Sequence, residues 1–216
     1  MKRTIAIDGP AGAGKSTVAS ELAAKLGYLY VDTGAMYRAV TLFLIARKID
    51  VQNEKLVQEL LDEVEIELTE EGRVFLNGKE VTQEIRTPLV DQMVSPVAAL
   101  KEVRRFLKVK QRNLALSRPS ITEGRDIGTV ILPDADLKVF LIASPEIRAR
   151  RRWLQLKERG QEVDYKLVLR NILERDYIDS NRSEAPLRMP EGALLVDSSF
   201  MSKEQVVDLL YNLVQQ

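Results

Sequence analysis

The stretch that most restricts the fold is GPAGAGKST, residues 9 to 17, set directly behind the apolar run TIAID and ahead of the helix-like VASELAAKLG. Glycines at 9, 12 and 14 forgo side-chain packing and loosen the backbone, so they need a reason. A plain strand-to-helix turn is the ordinary one. The sharper one is a phosphate-binding loop, because Gly9, Gly14, Lys15 and Ser16 satisfy G-x-x-x-x-G-K-[ST] in the strand-then-helix setting that pattern requires. Pro10, Ala11, Gly12 and Ala13 keep the loop small, and Thr17 follows it, so that backbone N–H groups can curl around phosphate oxygens at a positive helix end. Lys15, read as an exposed loop side chain, would reach the β- and γ-phosphates, and the Ser16 hydroxyl would ligate Mg²⁺. A nucleoside triphosphate with magnesium is the implied ligand.

At 216 residues the chain suits one α/β domain, which buries roughly 70 per cent of its unfolded surface without a metal or disulfide staple. It has no cysteine, which excludes disulfides and thiolate chemistry, and no histidine, which removes the commonest general base and zinc ligand. Thirty-two basic residues balance thirty-two acidic ones, so no global field favours nucleic acid or an anionic membrane, and any anion site is local. The N-terminal apolar run stops at Asp8, too short for a secretory signal, and no later stretch approaches membrane-spanning length. The expected setting is the cytoplasm.

Short apolar runs TIAI, YLYV, PSIT, LKVFLIA and ALLVD alternate with helical patterns, which predicts a parallel sheet covered by helices on both faces. Ligands of such sheets sit beyond the carboxyl ends of the strands. Asp8-Gly9, Asp32-Thr33-Gly34, Glu123-Gly124-Arg125-Asp126 and Asp197-Ser198 gather polar groups along that edge. The segment 64–81 breaks the alternation: Val64, Ile66 and Leu68 at period two, then Val74 and Leu76, with Asn77-Gly78 as a hairpin signal, predict an antiparallel insert of two or three strands. It is expected to pack through the helical stretches near 53–63 and 87–117.

Three further constellations carry chemistry. DTGAMYR, 32 to 38, sets Thr33, Tyr37 and Arg38 at a strand end, with Thr33 as a helix cap and Arg38 on a solvated face as the ordinary alternative. In EGRDIGTV, 123 to 130, Arg125 can grip a phosphate with two parallel bonds and Asp126 can accept from a base or sugar; an ion pair of structural use competes. EIRARRRWLQLKERG, 146 to 160, carries six cations against two acids, with Arg148, Arg152 and Arg159 on one helical face, suited to a transferring phosphoryl group or to a solvated helix. In ERDYIDSNR, Arg175, Asp179 and Arg182 form one stripe, for which an ion-pair ladder is a fair competitor.

With IDGPAGAGKST, DTGAMYR, EIRT, EGRDIGTVILPDA, the arginine-rich stretch, ERDYIDSNR and VDSS in this order, the chain resembles the bacterial cytidylate kinases, nucleoside monophosphate kinases of the P-loop superfamily, over essentially its whole length. The insert at 64–81 resembles the extra small sheet of that family. The resemblance implies one P-loop kinase domain over 1–216, an α/β fold with a five-stranded parallel sheet, a monophosphate-binding region of about 32–100 and a mobile lid of about 148–160. It further implies that Thr33, Tyr37, Arg38 and Arg125 surround the acceptor phosphate and its sugar, and that Ser95, Arg104 and Asp126 face cytosine. Arg175 and Asp179 would hold the pentose and Arg182 would reach phosphate. Near Ser95, Pro96 is expected to break the helix. Catalysis would rest on Lys15, Arg125, Arg148 and Arg152 with Mg²⁺, in a monomer that transfers phosphate from ATP to CMP or dCMP.

Cytosine offers an amino donor at N4, matched by Asp126, and acceptors matched by Arg104; uracil sets a carbonyl against the carboxylate. An anionic phosphate acceptor needs no base, so a histidine-free site is adequate. A P-loop kinase for another monophosphate or a metabolite hydroxyl, served by Asp32 or Asp126 as base, is the enzymatic alternative. A nucleotide-dependent switch is another, although N-K-x-D is missing from the sequence.

Overall fold

The computed structural model describes residues 2–69, 71–158 and 160–216. Five parallel strands form the main sheet in the order β2-β6-β1-β7-β8, where β1 is Thr4–Asp8, β2 Leu29–Asp32, β6 Ser120–Gly124, β7 Leu137–Ile142 and β8 Leu194–Asp197. The period of two in TIAID decides which helices cover which face. Ile5 and Ile7 pack with Val18, Leu22 and Leu210, from α1 (Lys15–Leu26) and α8 (Lys203–Gln215). Ala6 packs on the other face with Ala115, Ile127 and Ile131, from α5 (Lys101–Leu116) and a short π-helical turn at Ile127–Ile131. All five expected strands are present, and helices cover both faces.

Register lines up the strand ends. Asp8 lies beside Gly124, Asp32 beside Glu123, and Ile142 beside Asp197, so the polar residues read from the sequence do share one edge. Helix α2 (Thr33–Ala46) starts directly from β2, and its cap is Asp32, whose carboxylate accepts from Ala35 N at 2.8 Å. Thr33 therefore is not the cap.

The insert has three antiparallel strands, β3 (Ile66–Leu68), β4 (Val74–Leu76) and β5 (Lys79–Glu80). Asn77 and Gly78 turn the last hairpin at φ 49° and 76°, the left-handed values a two-residue turn of this hand demands. Its main support is α2 rather than the flanking helical stretches alone: Val74, Val81 and Ile85 bury themselves against Ala35 and Ala39. Val64 joins Val57 and Leu61 of α3 (Glu54–Leu61) in a second cluster.

Pro96 does not end the helix around it. Helix α4 runs Pro88–Ala99 with Pro96 inside. The proline leaves the Gln92 carbonyl without its usual partner, but both residues are exposed, so water serves instead. Two more helices complete the chain, α6 (Pro145–Glu158) and α7 (Tyr165–Asn181). Ala11 of the glycine-rich loop packs with Ala149, Val168 and Ile172, and Trp153 lies at the margin of this cluster.

Candidate active site

A cleft of about 620 Å³ opens beyond the carboxyl edge of the sheet, with the loop 11–17 on one side and α2, α4 and α7 on the other. The loop owes its shape to close approaches. Gly9 has φ 148°, and a Cβ there would stand 2.0 Å from the Leu141 carbonyl oxygen, so neither the backbone angle nor the space admits a side chain. Ser198 Oγ donates within reach of Ala13 O at 3.1 Å and Ile142 O at 3.0 Å, which ties the loop to the end of β7 and to the start of the segment after β8.

Lys15 is buried rather than exposed, and its Nζ donates to Pro10 O at 2.8 Å. Burial, together with the Arg125 guanidinium, pulls its pKa down to about 7. Ser16 is exposed at the mouth, and its hydroxyl donates to Glu123 Oε1 at 2.5 Å. Burial and the neighbouring Glu123 carboxylate push Asp32 up to about 6. At the end of β1, Asp8 is fully buried and accepts from Ile127 N and Gly128 N, both at 2.7 Å. Burial raises it to about 6 against those two hydrogen bonds.

Away from the loop runs a chain of alternating charges. Arg125 Nε donates to Asp179 Oδ2 at 2.8 Å, and Arg182 Nη1 stands 3.8 Å from the other Asp179 oxygen. Arg182 Nη2 stands 3.5 Å from Asp126 Oδ1, while Arg104 Nη2 donates to Asp126 Oδ2 at 2.5 Å. The Arg104 guanidinium lies 5.7 Å from the Tyr37 ring centroid, and burial pushes the Tyr37 hydroxyl up to about 12. Arg175 faces the cleft with a buried Nε that has no hydrogen-bond partner. Burial, then Arg125 and Arg38, depress it to about 10. Like charges converging on an unsatisfied guanidinium make a strong demand for an anion.

The structure thus brings Thr33, Tyr37, Arg38, Ser95, Arg125, Asp126, Arg152, Arg175, Asp179 and Arg182 to one cleft with the loop. Thr33 spends its hydroxyl on Glu123 O at 2.6 Å. Arg182 sits between Asp126 and Asp179, 3.5 Å and 3.8 Å from a carboxylate oxygen of each. Arg104 stands behind Asp126 and outside the cleft lining. Arg148 also lies outside it. Its guanidinium donates to Ala143 O at 2.8 Å and Ala11 O at 3.0 Å and pairs with Asp176 at 2.6 Å, so in this conformation it braces the loop from behind. Arg151, one residue before Arg152, faces the cleft in its place and donates to Ala13 O at 3.3 Å and Ser198 O at 2.7 Å. Arg159 lies outside the described residues.

Sequence reasoning gave no role to Asp91, Arg151, Ser198 or Glu123. Asp91 had a signal: it is the single charged residue of α4, one turn before Ser95 on the same face. Arg38 Nη2 donates to its Oδ1 at 2.5 Å, and Arg152 Nη2 donates to its Oδ2.

Known proteins are similar to this chain over nearly its whole length. A cytidylate kinase from Caldanaerobacter subterraneus subsp. tengcongensis is 50% identical over 98% of this chain and 94% of its own length, and one from Fervidobacterium nodosum is 48% identical over 100% and 98%. Among solved structures, a shikimate kinase from Bacteroides thetaiotaomicron covers 98% of both chains at 15% identity and a TM-score of 0.49, too distant to bear on substrate. The family model described as cytidylate kinase matches residues 5–216. With a glycine-rich G-x-x-x-x-G-K-S loop and a run of arginines in one cleft, and with half its residues shared with a cytidylate kinase over nearly full length, the chain belongs to the cytidylate kinase family.

Proposed function

We propose that the cleft transfers the γ-phosphoryl group of ATP to CMP or dCMP, giving CDP or dCDP and ADP. One arrangement carries the reading of the site: Lys15, buried in the loop, and Arg175, half-buried with an Nε that has no hydrogen-bond partner, line one cleft, and burial holds both below their ordinary pKa. A triphosphate at the first and a monophosphate at the second suit both. In this reading Lys15 exchanges Pro10 O for the β- and γ-phosphates, and the loop's backbone N–H groups hold the remaining oxygens. Arg38, Arg125 and Arg175 take the acceptor phosphate, whose oxygen attacks without a base because it is already anionic. Arg151 and Arg152 supply charge to the transferring group, and Arg148 acts through the loop it braces. Alignment and the exclusion of water supply the remaining rate.

Asp126, backed by Arg104 and Arg182, accepts from the cytosine amino group, and Ser95 and Tyr37 bound the base. Asp179 is held by Arg125 and Arg182 and takes the sugar. The residues suit magnesium. Ser16 offers an exposed hydroxyl oxygen, with the Glu123 carboxylate behind it, a hard oxygen set for an ion that keeps most of its waters and arrives with phosphates. No cluster of three acidic side chains is preformed among the described residues, as fits an ion delivered by its nucleotide. When bound, Mg²⁺ would neutralise charge on the transferring phosphate. The reading includes α6 and the residues to 160 as a lid that closes over both nucleotides. It also has the enzyme acting as a monomer in the cytoplasm, where its nucleotides are, with donor and acceptor residues drawn from one chain.

The deciding experiment is a coupled assay of ADP formation with ATP and Mg²⁺, offering CMP, dCMP, UMP, AMP and GMP separately. CMP and dCMP should give the highest kcat/KM. A clear preference for AMP or GMP, or ADP release indifferent to all five, overturns the reading.

A further inference from the structure

Asp91 stands between Arg38 and Arg152, two guanidiniums that the proposed function gives to phosphates. Its two carboxylate oxygens are each taken by a guanidinium, one from Arg38 on α2 and one from Arg152 on α6, elements on opposite sides of the cleft. It is the only charge on α4 and lines the same cleft as both arginines. Two oxygens on one small anion, each accepting from a different guanidinium, are what a phosphate would present. Arg38 Nη1 donates to Ile85 O at 3.0 Å and its Nη2 to Asp91, so a phosphate gripped through Nη2 competes with the Asp91 carboxylate for it.

We propose that Asp91 is an internal stand-in for the acceptor phosphate, holding α6 toward the acceptor side while the cleft is empty and yielding its two guanidiniums when CMP binds. The exchange is inexpensive. Asp91 and Arg152 have side chains 20% and 25% exposed, so the released carboxylate turns to water and is not stranded in the interior. The apparent affinity for CMP is then the intrinsic one reduced by the fraction of molecules in which Asp91 has let go. Asp91 never touches the reacting atoms in this scheme. It acts on them by competing for Arg38 and Arg152.

The inference rests on the reading that the cleft takes a nucleoside monophosphate, and the test separates the two. Calorimetric Kd values for CMP and for cytidine, which lacks the phosphate, are measured on wild type, Asp91→Asn and Asp91→Ser, with the thermal midpoint of each recorded. Wild type should bind CMP more tightly than cytidine; equal binding overturns the phosphate reading itself. In both variants the preference for CMP over cytidine should rise by roughly fivefold to tenfold, with cytidine affinity unchanged. A positioning carboxylate that stays paired with the arginines would lower that preference, and a merely structural one would lower the midpoint and leave it alone. Either result, with wild type still preferring CMP, overturns the stand-in and spares the function. Should Asp91→Asn not fold, Asp91→Ser, which removes the same charge, decides alone.

Discussion

The two halves of the cleft solve one problem, holding an anion, by different means. The donor half is mostly backbone: a glycine-rich loop, a helix start, and one lysine that bonds to its own loop. The acceptor half is mostly side chain, a run of arginines and aspartates from α2, α4, α5, α7 and the residues after β6, paired in series with the Arg175 Nε left over. Loss of a donor-half side chain should therefore cost function alone, since the loop keeps its shape. Loss of an acceptor-half side chain should cost stability as well, since it leaves a buried partner unpaired.

Lys15→Ala tests the first half and should show the largest effect. Turnover should fall about 10³-fold or more, while the thermal midpoint holds or rises slightly, because a buried ammonium held down to about pKa 7 is a burden on the fold. A drop of several degrees would erase the contrast. Arg125→Ala tests the other half. It leaves Asp179, which is 5% exposed, with Arg182 at 3.8 Å as its nearest cation, and should lower unfolding free energy by about 3 kcal/mol together with kcat/KM for CMP. Chemical denaturation showing wild-type stability would mean that the acceptor half is no more interlocked than the loop.

Asp126→Asn reads base choice within the acceptor half. An amide can turn its NH₂ toward the uracil carbonyl, so the CMP to UMP ratio of kcat/KM should narrow by about 1–3 kcal/mol, and the ratio is insulated from general damage to the site. Equal loss for both substrates would assign Asp126 to holding Arg104 and Arg182 only. The smallest effect belongs to Asp8, which joins the halves: it ends β1, before the loop, and holds the turn at Ile127 and Gly128. Its folded pKa of about 6 exceeds the ordinary 3.8, so between these values the folded state binds the extra proton. Its contribution is fully present below about pH 4 and is lost as pH rises through 6. Relative to Asp8→Asn, the wild type should therefore gain about 2 kcal/mol between pH 7 and pH 4, read from denaturation curves at each pH. A constant difference would remove the buried, titrating Asp8.

The donor half was legible because its physics is local. A strand, three glycines, a lysine and a helix lie within some twenty residues, and only one arrangement of them uses those glycines well. Period two in TIAID and the Asn77-Gly78 turn were legible for the same reason. What local pattern does not contain is which face of an element meets which neighbour. The helical period groups Arg148 with Arg152, yet α6 rests on Ala11 and turns Arg148 beneath the loop, leaving Arg151 in the cleft. Pro96 marks a helix end only where the freed carbonyl has no water, and Gln92 is exposed. Thr33 read as a cap until Asp32, one residue earlier, took that place. The clash that forbids a side chain at Gly9 comes from Leu141, more than a hundred residues away.

The position of β1 in the sheet has a consequence in time. Its neighbours are β6 and β7, so β1 lies between two strands that leave the ribosome more than a hundred residues after it. At ordinary synthesis rates that interval is on the order of ten seconds, during which Thr4–Asp8 has neither ladder partner. The nucleotide loop hanging from it has no fixed shape until then, and its tie to Ser198 waits longer still. The nascent chain therefore shows an unpaired apolar strand and no nucleotide affinity until most of it has been made, and the contacts that end this state are among the most distant in sequence that the molecule makes.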